Sequence, residues 1–233
     1  MQPSQSFQRV AGLLALVAGP LSLASLVVGV SVVDFNFDAF TDPAAMLSLN
    51  AAAARLIRWS YWLSMFGSYL FLVPLALWLD HTLPTTSRVM LRSFTLCGLG
   101  YLALGAAGAA ILAAVWPTLM MLAPTLPAEQ QSALQLLFVT VTAIAEDGLQ
   151  GLLQNVLGSI WFIGVGSLLW HQRRFLGGFT CLIGFALALT TLATLFDSEP
   201  LGLLGLIATL LLVPAWSVWV SIVALRTRHP FPA

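Results

Sequence analysis

Two polar stripes cross an otherwise apolar chain. Asp147, Gln150 and Gln154 are spaced three then four apart, and Tyr61, Ser64 and Ser68 repeat that spacing. Residues so spaced share one face of a helix. Glu146 and Asn155 flank the first stripe. A polar side chain inside a membrane span is costly unless it finds a partner or lines a wet cavity. Carboxylates, amides and hydroxyls gathered this way can hold a small molecule by hydrogen bonds. The expectation is a ligand-binding pocket with a polar mouth, formed by Tyr61, Ser64, Ser68, Glu146, Asp147, Gln150, Gln154 and Asn155. Thr191 and Thr194 reach a similar depth. The competing reading spends the same groups on hydrogen bonds between helices.

Other chemistries find less support. Asp34, Asn36 and Asp38 open like a calcium loop, with Asp42 at the ninth position. Ala39 stands where the turn needs glycine, and Ala45 where the bidentate glutamate belongs. A solvated loop with a helix cap at Thr41 or Asp42 explains them better. His81 and His171 lie at helix ends and His229 in the tail, so none is placed mid-span for haem. Cys97 and Cys181 sit in separate apolar runs and read as packing. Trp161, Trp216 and Trp219 lie deep, beside Pro214, and read as core before they read as the wall of a lipophile site. No nucleophile elbow, zinc helix or phosphate loop occurs. No charged residue occupies the centre of a span, which disfavours a proton-coupled pump and an intramembrane hydrolase alike. The chain reads as a non-enzyme without metal or cofactor.

The elements that must position these residues are membrane spans. Hydrophobic residues make up 59% of the chain and charged residues 8%, and the mean hydropathy is +0.95. Several apolar runs exceed the ~20 residues that cross ~30 Å of hydrocarbon. Alternating barrel segments are absent, and zero net charge gives nucleic acid no hold. The fold class is all-α, a single polytopic bundle with spans at about 10–33, 56–79, 93–116, 149–170, 175–196 and 201–225. Gly19-Pro20 and Pro74 are expected kinks, and Pro214 lies near the centre of the sixth span. Gly98, Gly105 and Ala109 form a small-residue stripe suited to close helix packing, within the bundle or with a partner. Pro117, Pro124 and Pro127 predict a broken segment. After it, 128–147 predicts an extracytoplasmic amphipathic helix that lies on the outer surface or caps the bundle, with a re-entrant half-helix as the alternative: Gln131, Gln135, Thr142 and Glu146 on one face, Leu134, Leu137, Val141 and Ile144 on the other.

Charge predicts the threading. Arg9, Arg88, Arg92, Arg173, Arg174, Arg226 and Arg228 fall on one side of six spans, and only Arg55 and Arg58 on the other. The basic side is expected to be cytoplasmic, with both termini inside. The start Arg9-Val10-Ala11-Gly12, the segment TDPAAML, the run RRFLGGFTCLIG and the closing PAWSVWVSIVALRTR resemble a broad bacterial family of six-span membrane proteins known only as a domain of unknown function. The resemblance implies a six-span bundle in a bacterial cytoplasmic membrane, and carries over no activity and no site residues. The functional expectation is a non-enzymatic membrane protein, either an accessory subunit with a protein partner or further copies of itself, or a binder of a lipid-like molecule. A facilitator of a small neutral or lipophilic solute is the alternative.

Overall fold

The computed structural model describes residues 5–33, 42–85, 87–196 and 198–226, and every regular element among them is helical. The helices are α1 (Gln5–Ser31), α2 (Pro43–Ser48), α3 (Ala51–Thr82), α4 (Arg88–Leu122), α5 (Ala128–Trp170), α6 (Arg174–Phe196) and α7 (Glu199–Arg226). All but α2 are long and apolar enough to cross a membrane. The acidic loop with Asp34, Asn36 and Asp38, and the tail with Arg228 and His229, lie outside the described residues.

The six long helices run up and down. Each packs on its neighbours in chain order, and α7 closes the ring against α1. This direction gathers Arg9, Arg88, Arg92, Arg173, Arg174 and Arg226 at one end and Arg55, Arg58, Glu146 and Asp147 at the other. Small residues permit the close approaches. A Cβ on Gly98 would come within 2.5 Å of the Trp161 ring, and Gly105 lies under the Tyr69 ring. The small-residue stripe of α4 is therefore covered by the protein's own helices.

Two cores result. At the arginine-rich end, Trp78, Trp161, Phe162 and Trp216 are fully buried with Leu75, Leu79 and Leu169. Trp161, Phe162 and Trp216 touch one another with ring centroids 4.7–5.8 Å apart. The Trp216 indole donates to the Thr180 hydroxyl at 2.9 Å. Trp219, by contrast, is half-exposed and meets Phe179 on the outside.

The second core lies at the opposite end and corrects the sequence reading. The helix α4 passes through Pro117 to Leu122, and α5 is one continuous helix of 43 residues. At 1.5 Å per residue, α5 is about 65 Å long, roughly twice the hydrocarbon thickness. The surplus turns of α4 and α5 stand against each other as a hairpin. Trp116 stacks on Phe138 at 4.9 Å and its indole donates to the Thr142 hydroxyl at 2.9 Å. Met46, Ile57, Leu119 and Met120 belong to the same core. Pro117 forfeits one backbone bond, but its neighbour Trp116 is anchored across the hairpin, and the helix persists. Residues 128–147 are thus not a separate surface helix. Their buried seam is Leu134, Phe138 and Ala145, whereas Leu137 and Ile144 stay exposed. An upright helix against one partner needs only this narrow seam.

Helix starts follow ordinary capping. Asp42 accepts from Ala44 N at 2.9 Å to open α2, and Asn50 accepts from Ala52 N and Ala53 N, both at 2.9 Å, to open α3. Asn50→Ala is expected to cost about 1 kcal/mol, read as a lower unfolding midpoint of the detergent-solubilised protein.

Candidate functional site

Within the ring, toward the carboxylate-bearing end, lies a cavity of about 560 Å³. All six long helices contribute to it. Tyr61, Ser64, Ser68, Glu146, Asp147, Gln150, Gln154 and Asn155 all line it. The two stripes read from the sequence therefore face one space. Thr194 is there as well, but Thr191 is not: it is buried elsewhere and bonds to Leu187 O, and Thr190 takes the lining position. The spacing of Leu187, Thr190 and Thr194, three then four, carried that signal. Ser22, Tyr69, Tyr101, Leu206, Thr209, Leu210 and Val213 also line it and were not expected. Tyr69 and Tyr101 lie in runs that read as plain span, and α7 has no polar stripe.

Irregular helix turns build the site. In α3 the chain widens into a π-helix over Met65–Tyr69, tightens to a 3₁₀ turn over Leu70–Leu72, and resumes as α-helix at Val73. Pro74 explains the sequence of events. It has no N–H, and its ring excludes the usual carbonyl one turn back, so the preceding turns rearrange. The kink expected at Pro74 is thus displaced toward the cavity, where it sets Ser64, Ser68 and Tyr69. In α5 the π-helix is longer, Ala143–Gln154. Bonds from i to i+5 give turns of more than four residues, so positions four apart stay nearly above one another. Glu146, Gln150 and Gln154 become one column. Gly151 is needed there, because a Cβ would stand 2.9 Å from the Glu146 carbonyl oxygen.

The hydrogen bonds are unevenly spent. The Tyr61 hydroxyl donates to Glu146 Oε1 at 3.0 Å. Gln150 Nε2 donates to Gly105 O at 3.0 Å, and Asn155 Nδ2 to Gly151 O at 2.9 Å. The Ser22 and Ser68 hydroxyls are 2.8 Å apart. Thr190, Thr194 and Thr209 each donate to a carbonyl of their own helix. Gln154 differs. It is 4% exposed, its Nε2 reaches Tyr69 Oη at 3.4 Å, and its Oε1 has no partner. A buried, unpaired amide oxygen carries a desolvation cost that a bound donor would remove. Among the described residues no arginine or histidine pairs with Glu146 or Asp147; the sole contact of ion-pair range is His81 with Asp80 at 4.0 Å, at the other end.

Below the cavity, toward the arginine-rich end, Tyr69 and Tyr101 meet at 6.2 Å, and Tyr101 rests on Trp161 and Phe162. The aromatic core is its floor, so Trp161 and Trp216 fill space with each other. A second cavity of about 580 Å³ lies in the hairpin region among Asn50, Met120, Met121, Gln131, Leu134 and Gln135. No buried unpaired polar atom faces it among the described residues. Nor do those residues contain three histidine, cysteine or acidic groups placed to hold a metal. Compared with known proteins, the chain matches no family model, and neither the curated proteins nor the solved structures give a match.

Proposed function

We propose that this is a non-enzymatic multi-pass membrane protein that binds a lipid-like molecule inside its helix ring. The observation that carries the reading is the cavity itself. One wall is polar, from α3 and the π-helix of α5, and the other sets Leu187, Leu206, Leu210 and Val213 beside Thr190, Thr194 and Thr209, whose hydroxyls bond to their own helices. A volume of about 560 Å³ lies in the range of small-ligand sites and suits one amphiphilic chain.

The packing of α1 and α7 supports access from the bilayer. The two helices touch closely from Gln8, which donates to Ala224 O, through Gly12, beneath Leu225, to Gly19, beside Pro214 O. Past that crossing they take different partners. Ser25 bonds to Ser60 on α3, and Gly205 packs on Thr190 of α6. Ser22 of α1 and Leu206 of α7 both line the cavity, and Leu206 is 49% exposed. Both helices carry proline at the crossing, Pro20 and Pro214.

The arginine asymmetry supports a cytoplasmic arginine-rich end, both termini inside and the cavity mouth on the extracytoplasmic side, in a bacterial cytoplasmic membrane. One observation favours an accessory-subunit role: Leu136, Leu137, Val139 and Ile144 are exposed on the part of α5 that runs toward the hairpin.

Native mass spectrometry of the protein released from its own membrane tests the reading. The expected result is a retained adduct of a few hundred daltons, lost in Leu206→Trp, whose half-exposed position tolerates the larger side chain. Added protein mass in place of the adduct would favour the accessory-subunit role. A bare monomer would refute both readings and leave the facilitator, which requires the aromatic floor to part.

A further inference from the structure

We propose that the occupant bears a positively charged, hydrogen-bond-donating head, and that the class of ligand is a single-chain amphiphile with an amine rather than a carboxylate, phosphate or plain hydroxyl. The proposal rests on the lipid-binding reading above and narrows it by the charge at the cavity and its one buried, unpaired amide oxygen.

Several donors at the polar wall are committed. The Tyr61 hydroxyl is spent on Glu146, one amide hydrogen of Gln150 on Gly105 O, one of Asn155 on Gly151 O, and the hydroxyls of Thr190, Thr194 and Thr209 on their own helices. The Tyr69 and Tyr101 hydroxyls and the second amide hydrogens of Gln150 and Asn155 are still free to donate, but every group at this wall that can carry charge near neutral pH is a carboxyl. Glu146 keeps a second carboxyl oxygen, Asp147 is exposed and has no ion-pair partner among the described residues, and Gln154 Oε1 is buried and unpaired. These three belong to one π-helix and line one cavity. Among the described residues no cationic side chain lines it, and the chain contains no lysine.

An anionic head placed here would face carboxylates across a low-dielectric space with no arginine to offset them. A hydroxyl offers one donor. An ammonium offers three and brings a charge opposite to the carboxylates, which strengthens each bond it donates. The chain of the same molecule would lie along Leu187, Leu206, Leu210 and Val213.

The test uses the full-length protein in a neutral maltoside detergent with three probes of equal chain length: dodecylamine, dodecanol and dodecanoate. Retention is read by native mass spectrometry over a concentration series. The wild type is expected to prefer the amine over the alcohol by about tenfold or more, since one charge-assisted bond is worth about that factor, and to retain no dodecanoate. Asp147→Asn, at an exposed position, and Gln154→Leu should each reduce the amine-to-alcohol ratio by about tenfold. General destabilisation would lower both affinities together and leave the ratio unmoved. An unchanged ratio in both variants overturns the proposal. Dodecanoate held as well as the amine, or alcohol held as well and displaced in Leu206→Trp, overturns the amine class and leaves the lipid-binding reading standing. Failure to retain any probe overturns both.

Discussion

Trp216→Ala is expected to destabilise the bundle by about 3–5 kcal/mol. Trp216 is fully buried, touches Trp161 and Phe162, and fixes the Thr180 hydroxyl. Helix association in lipid draws on packing rather than on exclusion from water, so the loss comes from contacts forfeited around a large void and from the lost indole bond to Thr180, whose hydroxyl keeps its own bond to Leu176 O. The void opens directly under the cavity floor. Two results should therefore appear together: a lower midpoint of unfolding in denaturing detergent, and weaker retention of any cavity ligand. Trp216→Phe keeps most of the ring and loses the hydrogen bond, so it should cost nearer 1 kcal/mol. Equal stability of Trp216→Ala and wild type would show that the aromatic cluster is not the keystone of this end of the ring.

Gly105→Leu is expected to be as severe, by the opposite mechanism. Gly105 lies against the Tyr69 ring, and its carbonyl receives Gln150 Nε2. A leucine there would drive α4 away from α3 and break the link to α5 in one step. Overpacking of a tight contact costs about 1–3 kcal/mol and occasionally more. Here two helix interfaces fail together, and little folded protein should accumulate in the membrane. Gly148→Ala is the matched control inside the π-helix. Its added methyl would meet nothing closer than the Ala143 carbonyl oxygen at 3.7 Å, so its effect should stay within about 1 kcal/mol. Comparing the membrane-extracted, folded yield of the two variants separates close packing from a general intolerance of substitution at glycine.

The candidate site was legible to an unusual degree for a chain without a catalytic motif. Polar residues are so few in the spans that those at helical spacing could be picked out and assigned to one depth. Eight of them line one cavity. The apolar half was not legible, because Leu206, Leu210 and Val213 resemble every other lipid-facing leucine and valine of α7. Thr190 was missed in favour of Thr191 because a one-residue rotation of α6 is invisible in an even run of apolar neighbours.

The amino-acid sequence by itself determined that the chain is all-helical, that it has six apolar helices able to cross a membrane, and that arginine collects at one end of them. Hydrophobic length and charge bias are additive properties of a run of residues, and no partner is needed to read them. Only the tertiary structure decided that α4 carries on through Pro117, that 128–147 stands upright as part of α5, and that two stretches of π-helix form beside the cavity. Each of these depends on a partner distant in sequence. Trp116 needs Phe138 and Thr142 across the hairpin, Gln150 needs the Gly105 carbonyl, and the widened turns of α5 need α3 and α4 beside them to hold Glu146 and Gln150. Backbone irregularity inside a membrane is tolerated only where neighbouring groups take up the displaced polar atoms, and which neighbours those are is a property of the assembled ring.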